Sequence, residues 1–422
     1  MERYHYGIDF GTSNSALTIF DNVNNSIITT ITEPSIIYFP KEQNRNKELA
    51  YYIGKKAVEH YISDGMTGRF MKSIKRVLPR SSFVDTRIFS KKFDASDLVS
   101  LIIKDLKGKA DKIIGEECTS AIIGRPVYFD DDNSSKDELA EKRLSKALKI
   151  AGFTNFQFQF EPIAAAFAYE KTIQKNEKVI VADFGGGTTD FTFINLRPQD
   201  YNNRDRKNDI KATGGIYIGG DSFDSAFMYQ KGTPHFGRGA KYESRPGKYL
   251  DLTLSLFTNI CTWEKMNFFN SYKIKDDLLK YYTFTGKNQK VLNLITLIDK
   301  NLGYQIFKAV EQTKIDLSDK NQSYFEFSKF GIEILDRVTL DDYNLIIKSE
   351  IDKIKFYFEK FVIQNQINLN EIDSVFITGG SSLVKAIKNI FFEKISTSKI
   401  KRGDDFYSVA QGLAYSGYLL NS

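Results

Sequence analysis

The pattern of apolar and polar positions repeats one motif twice along the chain. At 179–194, an apolar, β-branched run ends in Asp-Phe-Gly-Gly-Gly-Thr-Thr-Asp, and phenylalanines then alternate with threonine at the period of a strand. At 6–20, an apolar lead also ends in Asp-Phe-Gly, hydroxyl residues fill the turn, and an alternating strand follows. The pattern predicts two β-hairpins from a duplicated half-domain, because the two copies lie too far apart for a short-period repeat.

Further strands and helices are predicted along the rest of the chain. Apolar or alternating runs predict strands at 34–39, 120–129, 156–160, 323–328, 331–337 and 374–378, and one that begins at 210. Helical spacing of apolar residues predicts helices that begin at 52, 161 and 221, and helices at 94–115, 136–151, 250–269, 275–300, 303–317, 340–364 and 405–420. Polar or glycine-rich composition predicts loops at 41–48, 197–209 and 231–248, the second of them mobile.

The hairpin at 179–194 has the chemistry of a phosphate site. Three consecutive glycines let backbone N–H groups approach an anion closely. Asp183 at the strand end and the hydroxyls of Thr188 and Thr189 suit a magnesium-bound phosphate, because Mg²⁺ prefers one or two carboxylates, phosphate oxygens and retained water. Read alone, this stretch also fits a glycine-rich hairpin with no ligand. The second hairpin of the same order, with Asp9, favours the phosphate interpretation.

Two later glycine turns and one helix add candidate contacts. Gly219 and Gly220 begin a helix, where a nucleotide can approach closely, although glycines are also common at helix starts without a ligand. The Gly-Gly-Ser-Ser turn at 379–382 opens a helix whose first N–H groups can meet a phosphate. On the helix predicted at 303–317 and just beyond it, three polar residues share one side: Glu311, Lys314 and Ser318.

Three charged stretches allow two interpretations each. Glu161, at a strand–helix junction, is either a helix-start carboxylate or a group that orients an attacking water. The basic residues at 68–78 are, on composition alone, a solvated face whose lysine stems cover apolar surface. The aspartates at 130–132 favour a loop and helix N-terminus over a cation site, because the helix dipole favours carboxylates there.

The composition bounds the class of protein. With 422 residues, 41% of them hydrophobic and 27% charged, the chain predicts two or three domains or a two-lobed globular fold. The net charge of +6 is spread along the chain, which argues against a nucleic-acid partner. Two isolated cysteines argue against a disulfide scaffold, and three histidines without HExxH argue against a zinc hydrolase. The lack of Walker or Rossmann glycine motifs disfavours those two nucleotide folds. With no signal pattern and no membrane-length apolar run, we expect a cytoplasmic protein without a membrane partner.

Several segments, in this order, resemble the seventy-kilodalton heat-shock chaperones of the DnaK type, within the actin and hexokinase superfamily of ATPases. Residues 7–13 are similar to the family's first phosphate hairpin, and 183–190 to its second. Ser-Ile-Lys-Arg at 73–76 resembles the segment with the catalytic lysine, and Pro126 together with 161–169 resembles the first connecting region. Three further segments resemble the parts of the family that form its adenosine pocket: 219–224, 311–318 and 379–382.

The resemblance covers essentially the whole chain, corresponds to the ATPase half of the family, and implies its two-lobed α/β fold with ribonuclease-H-like cores and inserted subdomains. The sequences at 123–127 and 236–239 are most similar to those of the bacterial YegD-type proteins. The implied division has these bounds: lobe I at 1–170 (core 1–33 and 94–170, insertion 34–93), lobe II at 171–402 (core 171–213 and 339–402, insertion 214–338), and a C-terminal helix at 403–422 that returns to lobe I.

The same resemblance implies slow, magnesium-dependent ATP hydrolysis in a cleft between the lobes, coupled to lobe rotation. Asp9 and Asp183 would bind Mg²⁺ through water. Lys75 would place positive charge against the γ-phosphoryl group, Glu161 would help to position the water, and Thr188 would hold phosphate. The other residues implied to hold ATP or ADP are Gly11, Thr12, Ser13, Asn14, Gly185, Gly186, Gly187, Gly219, Gly220, Asp221, Glu311, Lys314, Ile315, Ser318, Gly379, Gly380, Ser381 and Leu383.

The chain departs from the family pattern at the positions that contact the adenine base. Ile315 and Leu383 stand where the family has two arginines that sandwich the adenine. Because guanidinium stacking is lost, we expect weaker nucleotide affinity or relaxed base choice. The family's arginine soon after the switch proline is not recognisable after Pro126. The sequence ends at Ser422 with no apolar linker or peptide-binding β-sandwich, so a complete chaperone cycle is not expected of it.

These features predict a monomeric, chaperone-type ATPase module with an unidentified protein partner or client. Two alternatives stay open. One is a nucleotide-gated interaction protein that binds ATP with little or no turnover. The other is an actin-like filament former or a sugar-kinase-like enzyme, against which the helix at 303–317 argues because its polar residues match the chaperones.

Overall fold

Two five-stranded sheets of the same plan organise this structure, a computed structural model. It describes residues 2–42, 49–130, 134–198, 206–266, 272–392, 394–403 and 407–421. The first sheet contains, in spatial order, β10 (Asn155–Phe160), β9 (Ser120–Arg125), β1 (Tyr4–Phe10), β2 (Asn14–Asp21) and β3 (Ser26–Pro34). The second contains β13 (Ile210–Ile216), β12 (Thr189–Leu196), β11 (Glu177–Phe184), β18 (Ser374–Thr378) and β19 (Ile400–Arg402).

The two sheets pair their strands in the same way. In each, an antiparallel hairpin lies at the centre, β1 with β2 and β11 with β12. The first strand of each hairpin also pairs in parallel with a later strand, β9 or β18. The predicted duplication and the predicted α/β fold are therefore confirmed.

Smaller sheets and the helices surround these two sheets. The additional strands are β4 (Ile37–Phe39), β5 (Tyr52–Ile53), β6 (Arg69–Met71), β7 (Thr86–Ile88), β8 (Lys91–Phe93), β14 (Lys241–Arg245), β15 (Lys248–Asp251), β16 (Gln322–Lys329) and β17 (Ile332–Thr339). The helices are α1 (Gly54–Ser63), α2 (Ala95–Ile114), α3 (Ser134–Ile150), α4 (Glu161–Glu170), α5 (Gly220–Phe227), α6 (Leu254–Ile260), α7 (Trp263–Met266), α8 (Tyr272–Phe284), α9 (Gln289–Asp299), α10 (Gly303–Asp319), α11 (Leu340–Gln364), α12 (Lys385–Phe392) and α13 (Ser408–Tyr415).

The ends of the long helices follow from local sequence. Asp94 and Asp97 form a reciprocal capping box at the start of α2, and Gly115 ends it with a φ of 79°. Thr339 and Asp342 cap α11 in the same manner. Each such cap stabilises its helix by about 1 kcal/mol, which explains why these two helices have the predicted bounds within one residue.

Three apolar cores hold the sheets together. One lies under the first sheet, against α2 and α3, and a second lies under the second sheet, against α11 and α12. The third joins the two, because α4 and α13 pack on one another between β9 of the first sheet and β11 and β12 of the second. Gly412 of α13 lies directly against the backbone of Ala164 in α4, so the two helices cross with no side chain between them.

Some predicted elements differ from the structure. The loop predicted at 231–248 is wrong over its second half, where β14 and β15 form a hairpin around Gly247. Both faces of that hairpin are largely exposed, so the sequence shows no alternation. The predictions missed the strands β3, β6, β7, β8 and β19. The helix predicted at 250–269 is broken between α6 and α7, and the helix predicted at 275–300 is broken between α8 and α9. Most of the predicted loops at 41–48 and 197–209 lies outside the described residues.

No helix in the described part of the chain combines the length and apolar character needed to cross a membrane.

Candidate active site

The turns of the two central hairpins lie against one another. The first turn, at 11–13, joins β1 to β2, and the second, at 185–188, joins β11 to β12. A Cβ at Gly186 would lie 2.8 Å from Ser13 Oγ, and one at Gly187 would lie 3.0 Å from Thr12 Oγ1. Any side chain at these glycines would fill the space between the turns, so glycine keeps a cradle of backbone groups open.

Two further turns hold the second hairpin in place. Gly220 N and Asp221 N donate hydrogen bonds to the carbonyl oxygens of Gly185 and Gly186 (3.1 and 2.8 Å), and Ser381 Oγ donates to Gly185 O (2.8 Å). Within the hairpin, Gly185 N donates to the carbonyl oxygen at 188 (2.9 Å). The turns at 219–221 and 379–382 are therefore part of the same site as the predicted phosphate hairpin.

Gly379 takes a conformation that only glycine adopts readily here. It has a φ of 85°, and a Cβ would lie 2.6 Å from Asp183 Oδ1. The Gly-Gly-Ser-Ser turn thus approaches the carboxylate that the sequence places at the end of β11. The four-residue 3-10 turn Gly380–Leu383 follows, and α12, the helix predicted to open after this turn, begins at Lys385.

Lys75 is buried and paired with Glu161. A 3-10 turn, Ile74–Val77, follows Ser73, whose φ of 58° turns the chain inward. Lys75 Nζ donates to Glu161 Oε1 at 2.6 Å, and these side chains are only 10% and 8% exposed. The solvated-face interpretation of 68–78 is wrong for Lys75, because a buried carboxylate 86 positions later in the chain offsets the cost of burying its ammonium group.

Carboxylates outnumber this lysine. Burial raises the pKa of Asp9 to about 7, with the negative charge of Glu161 adding to the rise and Lys75 opposing it. Burial and Glu161 raise the pKa of Asp190 to about 7 and place the pKa of Asp183 well above its usual range. Burial lowers the pKa of Lys75, but Glu161 and Asp9 outweigh it and raise the net value. The raised pKa values mean that these carboxyl groups resist ionising together near neutral pH, and a cation in the site would favour their charged forms.

The donor set fits a magnesium ion held through water. Among the residues that the structure describes, no three His, Cys, Asp or Glu side chains converge as direct metal ligands. Mg²⁺ keeps several waters and needs only one or two carboxylates beside phosphate oxygens. In the same described part, Asp190 Oδ2 and Thr378 Oγ1 are buried without a hydrogen-bond partner, so the site retains unsatisfied acceptors for water.

Sequence reasoning missed two groups near this site. Asp190 lies opposite Asp183 in the β11–β12 ladder, and its Oδ1 accepts a hydrogen bond from Val127 N (3.1 Å). Arg76 donates from Nε to Tyr217 Oη (3.1 Å) and lies 3.5 Å from Asp221. The second aspartate of the Asp-Phe-Gly-Gly-Gly-Thr-Thr-Asp motif was a usable signal for Asp190, whereas nothing near Arg76 in sequence indicated Tyr217.

Only some of the residues predicted to bind adenosine contact the turns around the two hairpins. Lys314 of α10 pairs with Asp224 of α5 (2.7 Å), and a Cβ at Gly220 would lie 3.7 Å from Lys314 Nζ. Ile315 is 48% exposed on the same helix. Within the described ranges, the side chains of Glu311 and Ser318 make no hydrogen bond to the hairpins, and Ser318 Oγ donates instead to Lys314 O (3.2 Å). Asn14 begins β2 of the first hairpin and is exposed.

Together, the fold and the site define a nucleotide-binding ATPase module of the chaperone class. A comparison with models of protein families matches residues 5–235, more than half of the 422-residue chain, to the family described as Hsp70 protein. The chain belongs to the Hsp70 family, and the matched part corresponds to its ATPase domain with the actin-like fold. The match includes both hairpins, Lys75, Glu161 and the turn at 219–221, while α10 and the turn at 379–382 lie beyond it.

Proposed function

We propose that this chain binds Mg-ATP between two lobes, hydrolyses it slowly, and moves its lobes with the state of the nucleotide. The observation that carries the proposal is the buried Lys75–Glu161 pair, which lies among carboxylates whose pKa values are raised. Glycine turns that leave room for phosphate lie beside these carboxylates. The proposed lobes have the bounds 1–170 and 171–402, with 403–422 returning to the first.

The chain's own residues position the substrate. Backbone N–H groups of the turns at 11–13 and 185–188 hold the β- and γ-phosphates, as glycine-rich turns hold anions elsewhere. Asp9 and Asp183 hold Mg²⁺ through water. The ion, when bound, neutralises charge that spreads over the phosphoryl oxygens. Lys75 adds positive charge on the γ-phosphoryl side, and Glu161 orients both this ammonium group and the attacking water.

The ion pair also supports the proposal that turnover is slow. Lys75 Nζ donates to Glu161 Oε1 at 2.6 Å, so its donors are shared between the carboxylate and any phosphate that enters. Charge-assisted hydrogen bonds of this kind are about twice as strong as neutral ones. The same observation supports the alternative function, a nucleotide-gated interaction protein with little or no turnover.

Single-turnover hydrolysis separates these two functions. We expect γ-phosphate release by the wild-type chain above the background rate, and a loss of at least about 100-fold in Lys75→Ala and Asp183→Asn. Lys348→Ala, which removes an exposed lysine on the outer face of α11, is the matched control and should keep the wild-type rate. Retained ATP binding with no wild-type rate would favour the gated interaction protein.

We also propose that the chain acts as a cytoplasmic monomer on a protein partner, with no nucleic-acid or membrane partner, and that it is closest to the YegD-type branch. The spread of its +6 net charge supports the absence of a nucleic-acid partner, and the sequences at 123–127 and 236–239 support the YegD-type assignment. Pull-downs with ATP and with ADP test the partner, since a nucleotide-gated protein captures different sets in the two states. Identical sets would contradict gating.

A further inference from the structure

Arg125, the last residue of β9, holds together two segments that leave the first sheet side by side. Its Cζ lies 5.3 Å from the centroid of the Phe129 ring and 5.4 Å from that of the Phe160 ring. Its two terminal nitrogens donate to carboxylates of α3, one to Asp137 and the other to Glu141. The Arg125 side chain is only 12% exposed, so two rings and two carboxylates enclose this cation.

These contacts restrict both the guanidinium and the chain around it. A guanidinium binds carboxylates through a planar fork of donors and stacks on aromatic faces, and each such cation–π contact contributes about 0.5–2 kcal/mol. Asp137 also accepts a hydrogen bond from Phe129 N (2.7 Å), and Arg125 Nε donates to Pro126 O (3.3 Å). The segment 126–129 is therefore fixed to α3 through the arginine.

Both segments that Arg125 holds continue into the candidate active site. After β9, the chain reaches Val127, whose N–H donates to Asp190 Oδ1 (3.1 Å). In the parallel pairing of β9 and β10, Phe160 lies directly opposite Arg125, and Glu161 follows Phe160 as the first residue of α4. The arginine therefore joins the two strand ends that lead to the buried carboxylates.

The side chain of Glu161 lies directly on β9. A Cβ at Gly124, one residue before Arg125, would lie 3.1 Å from Glu161 Cγ. Glu161 Oε1 accepts the hydrogen bond from Lys75 Nζ at 2.6 Å. The direction of this carboxylate therefore depends on how the ends of β9 and β10 lie relative to one another, which Arg125 fixes through its contacts with Phe160 and α3.

We propose that Arg125 is a positioning residue for Glu161, which it holds in the direction that hydrolysis requires. This inference rests on the proposed function, in which Glu161 orients the ammonium group of Lys75 and the attacking water. The donors of Arg125 are bound to carboxylates of α3, so the arginine acts through the ends of β9 and β10. Its removal should misdirect the carboxylate and leave nucleotide binding intact. A misplacement of about 1 Å can slow a reaction about 100-fold.

Single-turnover hydrolysis by the full chain, together with equilibrium titration of ATP, tests this role. We expect Arg125→Met, which keeps an unbranched stem between the rings, to slow hydrolysis about 10- to 100-fold while the Kd for ATP changes less than about twofold. Arg125→Lys keeps the charge without the planar fork and should recover part of the rate. Lys146→Met removes a 55% exposed side chain of α3 that pairs with Asp94, and as the control it should keep the wild-type rate.

A double variant tests whether Arg125 acts through Glu161. A positioning residue has nothing to position once the carboxylate is gone, so Arg125→Met should slow Glu161→Gln little or not at all. A purely structural role would instead give the same loss in both backgrounds.

Three results would overturn the positioning role. One is an unchanged rate in Arg125→Met while its circular dichroism melt is that of a folded chain. Another is a loss of ATP affinity as large as the loss of rate. The third is a loss in the Glu161→Gln background as large as in the wild type or, where that background is too slow to follow, an Arg125→Lys rate no higher than that of Arg125→Met. If the wild-type chain itself shows no rate above background, the proposed hydrolysis fails, and the role of Arg125 fails with it.

Discussion

Glu161 Oε1 accepts a hydrogen bond from Lys75 Nζ at 2.6 Å, and the two partners of this buried pair are not equivalent. Burial raises the pKa of both Asp9 and Asp183, and repulsion by Glu161 adds to the rise. Losing the lysine leaves several buried carboxylates without a cation. Losing the charge of the glutamate relieves repulsion among them. The consequence for stability is therefore asymmetric.

We predict that Lys75→Met lowers the free energy of unfolding of the ligand-free chain by about 3 kcal/mol, as removal of one partner from a buried ion pair does. Glu161→Gln should change it far less, or stabilise the chain, because the amide oxygen still accepts from Lys75 while one negative charge is gone. Urea unfolding near neutral pH, followed by circular dichroism, measures both.

Lys109→Met provides the control for that comparison. Lys109 pairs with Glu33 at 2.7 Å but is 34% exposed, so the same substitution there should change stability by about 1 kcal/mol or less. Equal destabilisation by Lys75→Met and Glu161→Gln would show that the excess of carboxylates does not govern stability at this site.

The sequence was sufficient for the parts of this site that are encoded locally. Glycine and hydroxyl residues between alternating runs specify the turns at 11–13 and 185–188, because few other residues allow backbone groups to come so close. The strand-end carboxylates Asp9 and Asp183 follow from the same pattern. Capping residues likewise fixed the bounds of α2 and α11.

The rest depended on contacts between distant segments. Lys75 looked like part of a solvated face because its partner Glu161 is 86 positions away. The ring contact of Tyr304 with Phe70 joins segments that no local period relates. The exposed hairpin at 241–251 has no buried face, and hence no alternation by which to recognise it. Local sequence rules therefore predicted the two central hairpins but not the contacts between distant segments that surround them.

Apolar residues at the base site predict modest nucleotide affinity. Ile315 is 48% exposed on α10, and Leu383 is half-buried in the turn Gly380–Leu383. Neither can stack a guanidinium on adenine, an interaction that contributes about 0.5–2 kcal/mol. Titration calorimetry should show ATP binding weaker than micromolar or little preference over GTP. Ile315→Arg should tighten ATP binding several-fold. Submicromolar ATP affinity with a strong preference over GTP would contradict this prediction.

Glycine at 219 is required by space rather than by backbone conformation. Its φ of −154° is open to any residue, but a Cβ would lie 2.7 Å from the carbonyl oxygens of Gly185 and Gly186. We predict that Gly219→Ala displaces the second hairpin, destabilises the chain by about 1–3 kcal/mol and weakens ATP binding.

The matched change at Gly108 should have the opposite sign. Gly108 lies inside α2 with nothing within 4 Å of a Cβ, so Gly108→Ala should stabilise the chain by about 0.5–1 kcal/mol and leave ATP binding unchanged. Thermal unfolding and calorimetry of both variants give the comparison. If Gly219→Ala behaves like Gly108→Ala, the turn at 219–221 does not hold the hairpin.

His5 predicts how stability depends on pH. It is 2% exposed and ties β1 to α13, with Nε2 2.7 Å from Ala414 O and Nδ1 3.0 Å from Asn22 Oδ1. Burial lowers its pKa below the ordinary value of 6.5, although both hydrogen-bond partners oppose the shift. Below about pH 6.5 the unfolded chain therefore binds the proton more readily than the folded chain, and stability falls as the pH falls through the folded-state pKa.

We predict that His5→Gln removes this contribution, which is at most about 1.4 kcal/mol per pH unit for one proton. The variant is expected to be less stable than the wild type at pH 8, because the packing around Ala414 is disturbed, but to lose less stability between pH 7 and pH 5. His60→Gln, at a half-exposed ring stacked on Tyr52, should keep the wild-type pH dependence. Urea unfolding across this pH range decides the matter. Parallel curves for wild type and His5→Gln would mean that proton uptake by His5 does not contribute to acid destabilisation.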